Sequence, residues 1–440
     1  MLLNLLGGLQ GIADQIMVGQ FVGHVGNAAI GISFQILLVV IVFISSVYTG
    51  MAVLVARFTG ASEPDKVNRC VYQAFLLSVL LAIGVMAPLG YIFAPHLLDI
   101  VNPSPDVRAE ALPYLRIMFV FSIGLLMFFM CAGALRAAGD ARTPLYLGIA
   151  LTVLNIILNG ILIPGLGPIP AFGTRGAAMA TVMADGIVSV VFVWLFFSRR
   201  LVIQFSNLMD WRPDLTVIRE LFRFGLPAGF QGVVMNIGGV LLLRFIGSLE
   251  YSAETQAVYA VAYSELFSLI TWTSVGLMGA TAAIAGQNLG AGCPERSIRA
   301  AQVASCIGLG VACIIGVFFL SIPEYLFAIF GMTDGLIVGI GRQLLGYLAF
   351  SGLFVTVALT YTGALQGTGD TRSPLYISLV SQIMVPLGIC AVIQASRTLQ
   401  PNDIWMAILI GHISRAVFSF FRFRQEKWRN ITVDIGPAHT

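Results

Sequence analysis

Three carboxylates stand where a carboxylate is costly. Asp14, Asp185 and Glu265 lie inside long apolar runs, in "GIADQIMVG", "TVMADGIVS" and "VAYSELFSL", and none has a basic residue close by in sequence. A carboxylate held away from water is destabilised unless it gains a proton, a cation or a hydrogen-bond donor. Asp14, mid-run between Ile12 and Ile16, is therefore the first candidate for binding and releasing a proton near neutral pH. Other chemistries find little support. There is no HExxH, no GxSxG and no cluster of aspartates, so a membrane-embedded protease or transferase is not the reading and no catalytic residues are assigned. The six cysteines lie mostly in apolar runs without CxxC or zinc spacing, and the four histidines are scattered, so neither a metal site nor a cofactor is expected.

The elements that must hold those acids follow from composition. The 440 residues are 58% hydrophobic and 10% charged, with mean hydropathy +0.91. A soluble domain averages about 25% charged residues, so the solvent for most of this surface is lipid. The net charge of +3 is small and dispersed, which argues against a nucleic-acid partner. Apolar runs of about 20 residues, enough to cross a bilayer, occur at 2–21, 29–56, 70–93, 114–136, 144–164, 176–198, 226–247, 257–286, 299–320, 343–366, 374–394 and 403–421. The longest polar interruption places Arg212, Arg219 and Arg223 beside Leu215, Ile218, Leu221 and Phe222, the pattern of a basic amphipathic helix on a membrane surface. This divides the chain into a six-helix bundle over 1–198, a cytoplasmic linker over 199–224, a second bundle over 225–424 and a tail over 425–440. Of the 24 basic residues, 17 fall in the even-to-odd loops, the linker and the tail, which puts both termini in the cytoplasm of a bacterial inner membrane.

The two halves are copies. "GALRAAGDARTPLY" starts at Gly133 and "GALQGTGDTRSPLY" at Gly363, 230 positions later, and "TGASEPDK" and "LGAGCPER" keep the same spacing. Six spans is an even number, so the halves run parallel, related by a pseudo-two-fold axis along the membrane normal. In the repeated corner Gly139 and Gly369 suit the left-handed position after a helix. Thr143–Pro144 and Ser373–Pro374 read as an N-cap followed by a first-turn proline. Asp140 with Arg142, and Asp370 with Arg372, are spaced to pair locally. These corners are read as hinges rather than as transport residues.

"ADQIMVGQFVG" (13–23), "GAAMAT" (176–181), "FGLPAGFQ" (224–231), "AGQNLGAGCPER" (285–296) and the two GD-x-R-[TS]-P corners together resemble the multidrug and toxic compound extrusion (MATE) transporters, over the whole chain and in order. The resemblance implies an all-α membrane protein of twelve helices in two bundles, with a central cavity open to one side at a time. It also implies export of amphipathic, mainly cationic, compounds against an inward flow of protons or sodium. The family's first-helix coupling carboxylate maps onto Asp14. Its fifth-helix Asn-x-x-x-Asp maps onto Asn155 and Asn159, so an asparagine replaces the acid, and protons are favoured over sodium as the coupling ion. The family's threonine in helix six maps onto Thr181, and Asp185, four residues on and on the same helix face, is placed to restore the missing charge. Glu265 is expected either to attract a cationic substrate or to tie two helices together. Gln35, Tyr259, Tyr263 and Gln382 could line the cavity, whereas Arg244, His412 and Arg415 are read as structural or interfacial.

The alternative within the same superfamily is a flippase for lipid-linked oligosaccharide or peptidoglycan precursors. That function would want a cationic cavity, and this chain shows few buried bases. A major-facilitator transporter would want a basic G-x-x-x-D-R-type loop after span two, which "RFTGASEPDKVNR" does not supply. The expected partners are small amphipathic molecules and membrane lipid, with the chain a monomer. The run up to Asp14 covers only about 21 Å at 1.5 Å per residue. A basic lead-in of roughly ten to thirty residues before Met1 is therefore an expectation of the positive-inside rule.

Overall fold

Backbone polar groups in lipid must find partners within their own segment, so apolar runs of this length become helices. The computed structural model describes residues 2–101, 103–205 and 212–436, with the side chains of 2–9, 12 and 38–45 outside that description. Among the described residues there is no strand. The long helices are α1 (Leu2–Phe21), α2 (His24–Gly60), α3 (Pro64–Val101), α4 (Pro105–Val120 and Ile123–Ala137, bent by 52°), α5 (Arg142–Leu162) and α6 (Thr174–Phe197). They continue with α7 (Leu215–Gly247), α8 (Ser252–Gly290), α9 (Pro294–Ser321), α10 (Gly335–Gly367), α11 (Arg372–Ser396) and α12 (Pro401–Arg424). Nine of them are long and apolar enough to cross a membrane among the described residues, and ten with the bent α4 taken as one span. The helices α1 and α2 stand at the first two expected spans and contain the undescribed side chains. The chain is an all-α, multi-pass membrane protein.

Two compact units divide between Gly225 and Leu226. The amino-terminal unit holds Leu2–Gly225 and takes back the tail from Asp434, and the carboxy-terminal unit runs from Leu226 to Val433. The linker differs from the expectation over 199–224. Its amphipathic stretch is not a separate surface helix but the first turns of α7, which runs unbroken to Gly247 with Pro227 inside it. Burial on one side goes with this: Val217, Leu221 and Phe224 are within 3% of full burial and pack against protein, whereas Leu215 of the expected stripe is 77% exposed. Residues 206–211 of that linker, like Met1 and the 437–440 end of the tail, lie outside the described residues. The docking is close. A methyl on Gly50 of α2 would stand 2.0 Å from the Leu221 carbonyl oxygen, and one on Gly225 would stand 2.3 Å from that of Ser46.

The duplication is visible in backbone detail. Gly139 and Gly369 both take φ +97°, and the paired loops turn through left-handed Ser62 (φ +59°) and Gly292 (φ +70°) before Pro64 and Pro294 open the next helix. The expected local ion pairs at the corners do not form. Asp140 accepts the backbone N–H groups of Arg142 and Thr143, each at 3.0 Å. Asp370 accepts the Ser373 N–H and hydroxyl, and its Oδ2 takes Nη2 of Arg422 on α12 at 2.7 Å. The helices therefore begin at Arg142 and Arg372, two residues earlier than an N-cap at Thr143 or Ser373 would give. An aspartate two residues before a helix satisfies its orphan N–H groups more directly than it reaches an arginine side chain on the same turn.

In the amino-terminal unit, Arg69 near the start of α3 gathers the linker and the tail. Its guanidinium bonds the Asp214 carboxylate, and Nη1 donates to the Gly436 carbonyl at 3.1 Å. Gln73, one turn on, donates to the Arg212 carbonyl and accepts the Asp214 N–H, each at 3.0 Å.

Candidate functional site

Helices α1, α5 and α6 pack side by side in the amino-terminal unit and bring four of the expected residues into one hydrogen-bonded chain. Asn159 Nδ2 donates to Asp14 Oδ1 at 2.5 Å and to Asn155 Oδ1 at 3.1 Å. Asn155 Nδ2 donates to Thr181 Oγ1 at 3.2 Å, and that hydroxyl donates to the Ala177 carbonyl at 3.0 Å. Asn155 and Asn159 are wholly buried. Their i, i+4 spacing puts both amides on one face of α5. Asp185 is buried one turn beyond Thr181, within electrostatic reach of Asp14, and its Oδ2 has no hydrogen-bond partner among the described residues. The Asn159 Oδ1 is likewise unpartnered.

A half-buried and a buried carboxyl group, two amides and a hydroxyl can hold one positive charge and pass it along. An isolated carboxylate is destabilised in such a place, and a bound proton or cation relieves this. Tyr114 of α4 is buried within electrostatic reach of both Asp14 and Asp185. It was missed in the sequence because nothing in "LPYLRIM" links it to residues 100 positions before it or 71 after; only the bend and packing of α4 do.

Of the five residues expected to meet substrate, one lies in the amino-terminal unit and four in the carboxy-terminal unit. Gln35 is exposed on α2, in the amino-terminal unit. In the carboxy-terminal unit, Tyr259 and Tyr263 stack at 4.9 Å with 9° between ring planes, at a π-helical stretch of α8 (Ala260–Leu266). Tyr259 also lies parallel to Trp405 of α12, and Tyr263 to His412, so both tyrosines are packed between helices. Glu265 lies in the same stretch, two residues from Tyr263, and is exposed. Among the described residues it makes no ion pair. Gln382 sits in a second π-helical stretch (Val380–Met384) and donates to the Gly411 carbonyl of α12 at 3.4 Å. Interruptions of this kind are frequent at functional sites because they re-aim side chains within a helix.

An all-helical, multi-pass membrane protein with a carboxylate–amide–hydroxyl chain across three helices is the class defined here, and comparisons give the family. The MatE family model matches residues 1–161 and 227–392, and the chain belongs to that family. It is 25% identical over 433 residues to the probable multidrug resistance protein NorM of Thermotoga maritima, covering 98% of this chain and 91% of the relative. It is also 25% identical over 425 residues to the multidrug resistance protein MdtK of Pectobacterium atrosepticum, covering 94% and 90%. Among solved structures, an outward-facing multidrug resistance MATE transporter of the MOP superfamily superposes with TM-score 0.87 at 21% identity, over 97% of this chain and 93% of that one. A MOP superfamily transporter from Pyrococcus furiosus, described as having a binding pocket of reverse polarity, superposes with TM-score 0.88 at 22% identity, over 98% and 95%. The MatE family is a transporter family, and the fold is theirs.

Proposed function

We propose that this chain is a secondary active exporter of amphipathic, mainly cationic, compounds, exchanging them for inward protons by alternating access, with both termini in the cytoplasm. The observation that carries the reading is the Asp14–Asn159–Asn155–Thr181 chain, with Asp185 beside it. It is an ionisable group at membrane depth, wired into three helices that a solute would have to move. Binding a charge there changes which helix arrangement is favoured, because a bare carboxylate and a neutralised one prefer different surroundings.

The choice of proton rests on the side of Asn159 that faces the acid. An amide nitrogen at 2.5 Å is a donor to a carboxylate. A hard cation would want oxygens at that position. The names of the relatives, multidrug resistance proteins NorM and MdtK, support the export of drug-like molecules.

The test uses the purified full chain in proteoliposomes with rhodamine B ethyl ester, an amphipathic cation. Efflux driven by an imposed proton gradient and abolished by an uncoupler is the expected result. Efflux driven by sodium at constant pH, insensitive to the uncoupler, would assign the other ion. No gradient-driven transport under either condition would overturn the exporter reading.

A further inference from the structure

The chain passes between its two compact units twice, and the two passages differ in kind. The first is helical: α7 runs unbroken from Leu215 to Gly247, while the units divide between Gly225 and Leu226. Pro227 has no N–H to give the Arg223 carbonyl, which makes this the natural place for α7 to bend. The second passage is the tail, divided between Val433 and Asp434, and residues 431–436 lie outside any helix. Two bodies joined at one flexible point pivot in any direction. A second tie leaves rotation about the line through both, and it caps the separation of the points it joins.

Each end of the tail is anchored within its own unit. On the carboxy-terminal side Trp428 is wholly buried, stacks on Phe423 at 4.9 Å with 10° between ring planes, and donates Nε1 to the Phe423 carbonyl at 2.8 Å. Arg429 pairs with Glu295, in the first turn of α9, at 2.5 Å, and Ile431 packs on the same apolar cluster as Trp428. On the amino-terminal side Ile435 is 1% exposed, Asp434 lies 3.9 Å from Lys66 Nζ, and the Gly436 carbonyl accepts Arg69 Nη1 at 3.1 Å. Arg69 also bonds the Asp214 carboxylate that caps the first turn of α7, so one guanidinium secures both passages on that unit. From Ile431 to Ile435 there are four Cα steps, which reach at most about 14 Å when fully extended. While both ends hold, the two anchors stay within that distance whatever else the units do.

We propose that residues 431–435 are a strap that limits how far the two bundles part at the end of the molecule proposed to face the cytoplasm, and so sets the width of the inward opening. This rests on the exporter reading for its purpose, because alternating access requires the bundles to part at that end. The anchors themselves are independent of Asp14. Ordering an extended segment costs conformational entropy, and both ends here are held by burial and by bonds that a passive tail does not require. The strap also gives the bend at Pro227 a direction: with the second tie in place, α7 flexes about one line instead of swinging freely.

The test lengthens the strap without removing either anchor. Ala141 and Arg372 are exposed at the matching corners of the two copies, where α5 and α11 begin. Spin labels at Ala141→Cys and Arg372→Cys report the distance between the corners by double electron–electron resonance in lipid nanodiscs. The full chain is used, with Cys293→Ser, Cys306→Ser and Cys313→Ser removing the cysteines that are not buried. A ten-residue Gly/Ser insert after the exposed Thr432 adds about 17 Å of flexible reach, and the longest populated distance is expected to grow by about 10 Å. The same insert after Gly436, beyond both anchors, is expected to leave the distribution as it is in the unlengthened chain. Coincident distributions with and without the insert after Thr432, or an equal lengthening from the insert after Gly436, overturn the proposal. The measurement needs no transport. A lengthened distance without gradient-driven efflux removes the exporter reading and leaves the length limit standing, and efflux with unchanged distances does the reverse.

Discussion

Asn159 hands its side-chain amide to Asp14 at 2.5 Å, joining two helices whose residues lie 145 positions apart, and passes a second bond to Asn155 one turn away on its own helix. The acid is thus held by a donor that itself has no other charge. Its protonation decides whether that bond is charge-assisted or an ordinary neutral one, and so how firmly α1 is held against α5.

Asp14→Asn should uncouple transport without unfolding the protein, because asparagine fills the same space and still offers an oxygen to the Asn159 amide. Gradient-driven efflux of the rhodamine ester in proteoliposomes is expected to drop at least tenfold, with the size-exclusion profile unchanged. Asp185→Asn should have a smaller effect in the same direction, since Asp185 interacts with Asp14 electrostatically without lying on the hydrogen-bonded chain. Wild-type rates in the Asp14 variant would remove it from the mechanism.

The two copies of the repeated corner should respond unequally to the same change. Asp370 is 6% exposed and holds the half-buried Arg422 guanidinium, so Asp370→Ala removes a charge-assisted bond as well as the cap and should destabilise by about 2–3 kcal/mol. Asp140 only caps backbone N–H groups, and Asp140→Ala should lose about 1 kcal/mol. Thermal unfolding of both variants in one detergent measures the difference, and equal losses would contradict the asymmetry.

Gly50→Ala tests the docking of the first turns of α7. The added methyl meets the Leu221 carbonyl oxygen at 2.0 Å, far inside contact distance, with backbone on both sides and little room to yield. Overpacking of this kind costs typically about 1–3 kcal/mol. A lowered unfolding temperature and faster hydrogen exchange over 215–225 are expected, whereas Gly31→Ala on the same helix, with open space around it, should be silent.

The Arg69 clasp, whose Asp214 precedes the first turn of α7, makes a pH prediction. Burial opposes the charge on Asp214, but the Arg69 guanidinium and the N–H groups of Val217 and Thr216 outweigh it and hold the carboxyl below its ordinary value. A lowered folded value means that the stabilisation is fully present above the unfolded value of about 3.9 and is lost as pH falls through the folded one. Hydrogen exchange at residues 212–217 should therefore show protection that is constant from pH 8 to 5 and declines below pH 4. In Asp214→Asn that decline should disappear; if it persists, another group is responsible.

Much of this protein can be read along the chain. Bilayer-length apolar runs, the two matched loops and the left-handed glycines of the corners are local properties, set by hydropathy and by what a single residue's backbone will tolerate. They gave the helices, the duplication and, in Asp14, a mid-run acid whose isolation from any base in sequence makes it a candidate for ion binding. The same local signals misjudged the partners of Asp370, merged α7 wrongly into a surface linker, and passed over Tyr114 and the unpaired face of α12. All of these depend on how each helix is rotated about its axis and on what packs against it. In a helix that is apolar nearly all round, hydropathy does not mark which side faces protein and which faces lipid. The spacing of Trp405, His412, Arg415 and Ser419 on α12 is legible as one stripe; that Trp405 Nε1, His412 Nδ1, Arg415 Nε and Ser419 Oγ are buried without a hydrogen-bond partner among the described residues is decided only by the folded bundle.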